Sequence, residues 1–388
     1  MPPAVGGPGA RRFHHDRRRP RLSRLVQERY LRPVRNAAAK IKDHVVKGSS
    51  SNNNNSYSNN GNGGHGGEAQ GYDSASNRTL GIESIQFINM DYRYVRLDAL
   101  AIQCYMSDIE VKPILGFPKD KAGSEVVGFP PTSNLSRLGP PEVATWRAHA
   151  NVWQQMLMKR SPAVLIMGSD AVWDTQLRRI MGNLNGPFLD LLHADNPNGN
   201  MAAARSGLWD ILSLGQCSGH WKEGTGFRLY RDEFAAAAGS ATTLAGRRVV
   251  YRAGGMVCLT GYVVSLRGAA KLLARTAINL DQPVDIVVDS MMKGGELVGY
   301  NTQRQPVAQW VYPSGLGMEM RGANSDIRPN GSESCQSGDD GSRASWPDAE
   351  RRGSVWDIKP QYAGVDFPDF GLGHAWKKIA ETKKKLPF

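Results

Sequence analysis

Cysteine, long apolar runs and, beyond residue 48, net charge are all scarce in this chain of 388 residues. None of its four cysteines lies in a CxxC pair, which argues against a structural zinc site and a disulfide scaffold. One bridge, such as Cys217 to Cys258, remains open. No apolar run approaches the roughly 20 residues that a membrane-spanning helix needs, and the first residues lack the apolar stretch of a signal peptide. We therefore expect no transmembrane segment.

The net charge of +12 is concentrated at the start of the chain. Residues 1–48 carry +10 of it, so the other 340 residues are almost neutral. A near-neutral domain predicts no specific nucleic-acid binding, whereas the basic tail favours contact with an acidic surface such as anionic lipid or nucleic acid. Segment 11–36 also has the Arg-rich composition of a mitochondrial presequence, although Pro20 and Pro33 would interrupt its helix.

Composition divides the chain into four parts. Residues 49–79 are mostly Ser, Asn and Gly, and such a segment buries too little apolar surface to offset the entropy of ordering it. We predict a disordered tail over 1–79, a folded domain over 80–327, a polar flexible loop over 328–353 and a C-terminal extension over 354–388 that includes a Lys-rich helix or tail at 374–385.

Within the domain, strand-like and helix-like segments alternate. Helices are predicted at 94–104, 141–159, 175–183 and 265–275, and strands at 85–88, 163–167, 209–214, 248–252, 261–265 and 296–300. The clearest helix begins with Pro141 and Glu142, and its apolar residues recur at spacings of three and four. Such alternation predicts an α/β fold with a mostly parallel, doubly wound sheet and helices on both faces.

Polar side chains follow two of these strands at the edge where open α/β sheets bind ligands. Asn89, Arg93 and Arg96 follow the first strand, and Gly168, Ser169, Asp170 and Asp174 follow the strand at 163–167. Arg147 and His149 lie on the helix that precedes the second strand. The sequence contains no GxxxxGK[ST], GxSxG or HExxH motif, and its Gly-rich stretches are not placed as a dinucleotide-binding turn.

Several blocks resemble glycosyltransferase family 25, the lipopolysaccharide and collagen galactosyltransferases with their fungal relatives. The blocks are INMDYRYVRLDAL (88–100), TWRAHANVW (145–153), LIMGSDAVWD (165–174), WDILSLGQCS (209–218), VCLTGYVVSLRGAAKLL (257–273), the D-x-P-x-D of Asp281, Pro283 and Asp285, and a closing segment with QPVAQW (305–310) and Ser325-Asp326-Ile327. They occur in the family's order and together cover about 240 residues.

The resemblance implies a GT-A fold that transfers a hexose, such as galactose from UDP-galactose, to a hydroxyl group of a glycan or protein. It implies a divalent cation, usually Mn²⁺, held by acidic residues, here Asp170 and Asp174. Residues facing the nucleotide sugar would be Asn89, Arg93, Arg96, Arg147 and His149. The proton of the acceptor hydroxyl would go to Asp285 or Asp281. The expected location is the Golgi or endoplasmic reticulum.

The acidic motif departs from the family pattern. Its Glu-Asp-Asp is Gly168-Ser169-Asp170 here, and Gln216 replaces a family His. Three explanations follow: an enzyme weakened to a nucleotide-sugar-binding protein, an enzyme that uses cationic side chains in place of metal, or a site completed by Asp174 and a residue from elsewhere.

Other features have purely structural interpretations. Trp146 and Trp153 share one helix stripe and are expected in the core, and His149 lies at the edge of that stripe. Asp174 is equally suited to cap a helix. Four N-x-[ST] sequons, which matter only in the secretory pathway, lie at Asn54, Asn77, Asn134 and Asn330.

Overall fold

A computed structural model describes residues 75–123, 138–198, 207–233, 246–311, 359–360 and 370–383. All of them belong to one compact unit, Gly64–Phe388. The basic tail, most of the Asn-rich segment, three of the four sequons and the segment 328–353 lie outside the described residues, as does Ser325-Asp326-Ile327. Among the helices of the described part, none is long and apolar enough to cross a membrane.

Two sheets organise the described residues. The larger has the strand order β2-β1-β3-β9-β5-β10-β8-β6, with β7 also paired to β8, and the smaller has the order β12-β11-β4. The strands are β1 (Ser84–Asn89), β2 (Val111–Leu115), β3 (Ala163–Gly168), β4 (Ala171–Trp173), β5 (Ile211–Gly215), β6 (Ser218–Trp221), β7 (Phe227–Arg231), β8 (Arg247–Val257), β9 (Gly261–Ser265), β10 (Gly299–Gln303), β11 (Val307–Val311) and β12 (Lys359–Pro360).

The larger sheet is mixed in direction. β1 pairs in parallel with both β2 and β3, and β5 pairs in parallel with β10. β9 lies between β3 and β5 and is antiparallel to both, so β3 and β5 run the same way. β8 is antiparallel to β10. The strands β1, β3, β5 and β10 therefore end on one side of the sheet, which we call the carboxyl edge, and begin on the other, the amino edge.

Helices cover both faces of this sheet. They are α1 (Tyr94–Ser107), α2 (Asp120–Gly123), α3 (Pro140–Lys159), α4 (Leu177–Asp195), α5 (Leu266–Ile278), α6 (Val284–Lys293) and α7 (Gly371–Lys383). Apolar side chains of α3, α5 and α6 form one buried cluster with the sheet, and those of α1 and α4 form another. The prediction of an α/β fold is confirmed, with a sheet that is more mixed than expected.

The helix α3 shows how local sequence sets an element. Amide protons in the first turn of a helix have no acceptor within the helix, and Pro140 and Pro141 have no amide proton. The Glu142 carboxylate accepts a 2.8 Å hydrogen bond from the Gly139 amide. The predicted apolar stripe is fully buried at Trp146 and Trp153. Arg160, in the left-handed conformation with φ 54°, ends the helix.

Several predicted boundaries need correction. The helix predicted at 175–183 runs on as α4 to Asp195, past Pro187, because its apolar face continues through Leu184, Phe188 and Leu191, all buried. The strands predicted at 209–214 and 296–300 are shifted toward the C-terminus, to Ile211–Gly215 and Gly299–Gln303. α6 was not predicted at all.

Candidate ligand site at the carboxyl edge

The carboxyl edge brings the segments after β1 and β3 together. Ile88 pairs with Gly168 in the sheet register, so both strands end at the same level. From the first turn of α1, the Arg96 guanidinium donates from Nη1 to the Ser169 hydroxyl. Arg96 is buried, with 7% of its surface exposed. The two residues are 73 positions apart in the sequence. Their hydrogen bond therefore holds the start of α1 against Gly168-Ser169-Asp170, the segment that replaces the family's Glu-Asp-Asp.

Asp170 is half-buried beside this contact and is anchored on its other side by β11. The Gln309 carboxamide donates to Asp170 Oδ2 at 2.5 Å, and the Trp310 amide donates to the Asp170 carbonyl at 3.0 Å. Gly168 leaves little spare room, since a Cβ at that position would lie 3.1 Å from Asp170 Oδ1. The carboxylate thus has a defined orientation at the sheet edge.

Asn89 and Arg93 flank the same edge. Asn89 ends β1 and is 5% exposed, and its Nδ2 donates to the Met90 carbonyl at 2.6 Å. Its Oδ1 is buried and, among the described residues, has no hydrogen-bond donor. Arg93 immediately precedes α1, is half-buried, and places its guanidinium carbon 6.0 Å from the centre of the Tyr92 ring. Asn89 and Arg93 therefore lie on the segment that follows β1 at the carboxyl edge, where β3 ends at the same level.

Asp174, the second predicted metal ligand, has a different setting. It is fully buried, and its Oδ1 accepts a 2.7 Å hydrogen bond from the Gln176 amide just before α4. Strand β4 separates it from Asp170, and four residues of extended chain span about 13 Å. A carboxylate reaches only a few ångströms from its own α-carbon, so Asp170 and Asp174 do not fit one shared divalent ion. Within the described residues, no group of three or more His, Cys, Asp or Glu side chains is arranged to hold a metal ion.

Asp285, a predicted proton acceptor, lies near the same edge. It is half-buried in the first turn of α6, where Oδ2 accepts from the Cys258 amide at 3.2 Å and Oδ1 from the Ile286 amide at 3.0 Å. Two residues beyond Cys258, the Thr260 carbonyl accepts from the Gly168 amide at 3.0 Å. The short stretch of backbone from Cys258 to Thr260 therefore contacts Asp285 at one end and Gly168 at the other.

The disulfide left open by the sequence is present. Cys217 and Cys258 are bonded, with 5.4 Å between their α-carbons. The bridge joins the residues after β5 to the turn between β8 and β9. Because Cys258 also donates its amide to Asp285, the bridge helps to position that carboxylate.

Asp281, the alternative proton acceptor, forms an ion pair. Its Oδ1 lies 2.7 Å from Nη2 of Arg275 at the end of α5, and both side chains are about one-fifth exposed. This partner neutralises the carboxylate and fixes the connection between α5 and α6. We therefore prefer Asp285 to Asp281 as a candidate base.

Arg147 and His149 are held within the layer of α3. Arg147 donates from Nε to Asn151 Oδ1 at 2.8 Å, one turn along the same helix. His149 is 6% exposed, its Nδ1 lies 2.9 Å from the Tyr262 hydroxyl, and burial lowers its pKa to about 4. A neutral, enclosed imidazole cannot supply charge to a ligand at the surface, so His149 is left out of the proposed site.

A cavity of about 310 Å³ lies at the amino edge, away from Asp170. Leu208 and Val298, which precede β5 and β10, form part of its wall. Three cationic side chains line it, Lys222, Arg252 and Arg267, together with Asp195. Open α/β sheets bind their ligands at the opposite edge, so this cavity does not coincide with the predicted site.

Two contributors to the carboxyl edge could not be predicted from the local sequence. Gln309 lies 139 residues from Asp170, and Cys258 contributes only its backbone amide to Asp285. Neither type of contact produces a local pattern. The one sequence signal for Gln309 is the closing block at 305–310 of the family resemblance, which contains it.

Comparisons with known proteins give little to set beside this geometry. No family model and no curated protein matches the chain. Among solved structures, the crystal structure of A197 from STIV is matched over 60% of this chain and 86% of that one, with 12% identity and a TM-score of 0.26. At that TM-score the likeness supports no assignment, and the chain's own residues carry the functional argument.

Proposed function

We propose that this domain is a glycosyltransferase that moves a hexose, with galactose as the first candidate, from a nucleotide sugar to a hydroxyl group of a glycan or protein. The observation that carries the proposal is the contact between Arg96 and Ser169 beside Asp170. It joins the two segments that the resemblance to family 25 assigns to the donor. A mixed α/β sheet with helices on both faces is compatible with the GT-A fold that this resemblance implies.

The chemistry requires one nucleophile, one leaving group and one base. The acceptor oxygen attacks the anomeric carbon while the bond from that carbon to the diphosphate oxygen breaks. The diphosphate leaves with the bonding electron pair, and a carboxylate takes the hydroxyl proton. Asp285 suits the last role better than Asp281, because its oxygens are oriented by backbone amides and it is near the carboxyl edge.

Charge on the departing diphosphate falls to the basic side chains. Arg93 is the more accessible of the two arginines, and Arg96 holds Ser169 and thereby the loop that carries Asp170. Guanidinium groups make bidentate contacts to phosphate oxygens, which stabilise a leaving diphosphate. Since Asp170 and Asp174 do not fit one shared cation, we assign no step to a metal ion.

The loss of two carboxylates from the acidic motif favours a second candidate function. Asp170 is the one carboxylate retained from Glu-Asp-Asp, and the Gln309 carboxamide already occupies one of its oxygens. Such a site suits a protein that binds a nucleotide sugar without turning it over. Both functions place the ligand at the carboxyl edge, and they differ in turnover.

Turnover with UDP-hexoses separates the two functions. The protein is incubated with each donor, with manganese or with a chelator, and nucleotide release and product mass are measured. For a transferase we expect Asp170→Ala to reduce turnover by about 100-fold or more, while the control Asp190→Ala, at an exposed position of α4, leaves it unchanged. Binding without turnover supports the second function, and absence of both contradicts the two.

A restored motif tests why the site departs from its family. In Gly168→Glu with Ser169→Asp, the new side chain at 168 displaces the Asp170 carboxylate slightly, and the new carboxylate at 169 faces the Arg96 guanidinium. A gain of manganese-dependent turnover indicates a weakened but otherwise intact enzyme. The other outcome is that the wild-type protein turns over in the presence of a chelator and the double variant does not. That result indicates that cationic side chains replace the metal.

A further inference from the structure

The sequon at Asn77 is the one that falls within the described residues, and it lies on the surface. Asn77 is exposed, and its Oδ1 accepts hydrogen bonds from the Thr79 amide (2.9 Å), the Thr79 hydroxyl (3.1 Å) and the Gly81 amide (2.9 Å). The carbonyl side of the carboxamide is therefore fixed in a local turn. Among the described residues, its Nδ2 makes no hydrogen bond.

The described side chains beside Asn77 are charged and exposed. The neighbouring Arg78 pairs with Asp108 at 3.1 Å, and Arg178 pairs with the same carboxylate at 2.6 Å. These side chains are exposed to between about one-third and two-thirds. Among the described residues, the side chains next to Asn77 are thus charged and solvated.

Asn77 also lies away from the proposed ligand site. It precedes β1, and the Arg78 carbonyl accepts a 2.8 Å hydrogen bond from the Glu110 amide just before β2 begins. Since β1 and β2 are parallel, this segment is at the amino edge. The carboxyl edge with Asp170 is at the other end of the same strands, so a group on Asn77 leaves it open.

The disulfide supplies the condition that the sequon needs. Disulfides persist in oxidising compartments, including the lumen in which N-linked glycans are added, and are rare in the cytosol. Cys217 and Cys258 are bonded, whereas burial raises the pKa of the free Cys104 thiol to about 12. Cys104 is therefore a poor nucleophile and does not compete for the pairing.

We propose that Asn77 carries an N-linked glycan and that the domain folds in an oxidising lumen. In the modification, a bond forms between Asn77 Nδ2 and the anomeric carbon of an oligosaccharide, and the bond from that carbon to the diphosphate of its lipid carrier breaks. The amide loses one proton, and the lipid diphosphate leaves with the electron pair. Thr79 supplies the hydroxyl that the acceptor sequon requires.

Peptide mapping of the full chain, purified without reductant from the cells that make it, tests the proposal. We expect the peptide with Asn77 to appear only after treatment with an N-glycosidase in heavy-oxygen water, with Asn77 converted to labelled Asp. The same digest should contain a linked pair of peptides with Cys217 and Cys258.

Sequon variants provide the matched comparison. Asn77→Gln and Thr79→Ala should each remove the glycan at this position, while Thr79→Ser and Arg78→Lys, which keep the sequon, should retain it. An unmodified Asn77 in a protein with the disulfide formed overturns the proposal, as do glycans confined to other sequons. Free thiols at both Cys217 and Cys258 overturn it as well.

Discussion

Two regions of the domain contain blocks of the same family resemblance, yet they have opposite physical characters. At the carboxyl edge, Ser169 and Asp170 are half-buried and held by partners from distant parts of the chain. In the α3–β9 layer, where α3 packs on β9, Trp153 and Tyr262 are fully buried and hydrogen-bonded to each other. Polar residues in the resembling blocks can therefore lie either at the sheet edge or in the core, and their hydrogen-bond partners distinguish the two.

The comparison separates two kinds of mutational effect. Changes in the α3–β9 layer should lower the free energy of unfolding, because they remove packed surface and enclosed hydrogen bonds. Changes at the carboxyl edge should alter ligand binding with a smaller loss of stability.

Trp153→Ala should cause the largest loss, about 4 kcal/mol of unfolding free energy. Trp153 packs edge-on against Trp146, with ring centres 6.0 Å apart, and donates to the Tyr262 hydroxyl at 3.2 Å. Urea denaturation measures the change, and Gln154→Ala, at the exposed next position, is the control. A loss below about 1 kcal/mol, within the range of a surface substitution, would contradict the placement of this layer in the core.

The second prediction concerns pH. Burial lowers the pKa of His149 to about 4, below the value of about 6.5 for an unfolded histidine. Between these values the unfolded state binds more protons, so stability should be full above pH 6.5 and fall by about 2 to 3 kcal/mol as the pH drops to 4.

His149→Gln should flatten this part of the stability profile, measured by urea denaturation from pH 4 to 7. The exposed His193 on α4 provides the control, since His193→Gln should leave the slope as it is. A slope that survives in His149→Gln would mean that another group titrates, and that His149 is not enclosed as described.

The smallest expected effect on stability is at the edge. Ser169→Ala removes the hydroxyl that accepts from Arg96 and should cost about 1 kcal/mol of stability. It should nevertheless weaken nucleotide-sugar binding, because Arg96 loses its partner beside Asp170. Calorimetric titration of the donor, alongside denaturation of the same variant, measures both. A loss of stability with unchanged donor binding would mean that Ser169 has only a structural role.

Much of the fold could be predicted because its elements follow local periodicity. The stripe of α3 and the apolar run of β3 are properties of neighbouring residues, so both were located. The helix α6 could not be predicted, although Val284, Val287, Val288 and Met291 are buried at helical spacing, because it is short and its first half is rich in β-branched residues, which favour strands. The predicted range of α4 ends before the observed one because Gly186 and Pro187 disfavour a helix locally. Tertiary packing outweighs that preference.

Less of the site could be predicted. The polar residues after β1 and β3 were expected at one edge, since parallel strands end together, and the register confirms that these strand ends coincide. The partners of those residues could not be foreseen, because Ser169–Arg96 and Asp170–Gln309 are separated by 73 and 139 residues. The local sequence also does not show that His149 bonds to Tyr262 between α3 and β9, or that Asp174 is fully buried.

Hydrogen–deuterium exchange in the presence of UDP-galactose tests the central claim most directly, because it locates the ligand without assuming catalysis. The account predicts slower exchange in peptides that cover 84–96 and 163–172, and unchanged exchange at the amino-edge cavity around 207–212, 222–225 and 296–300. Protection of the amino-edge cavity with none at the carboxyl edge would contradict it, as would no protection at a concentration that saturates binding.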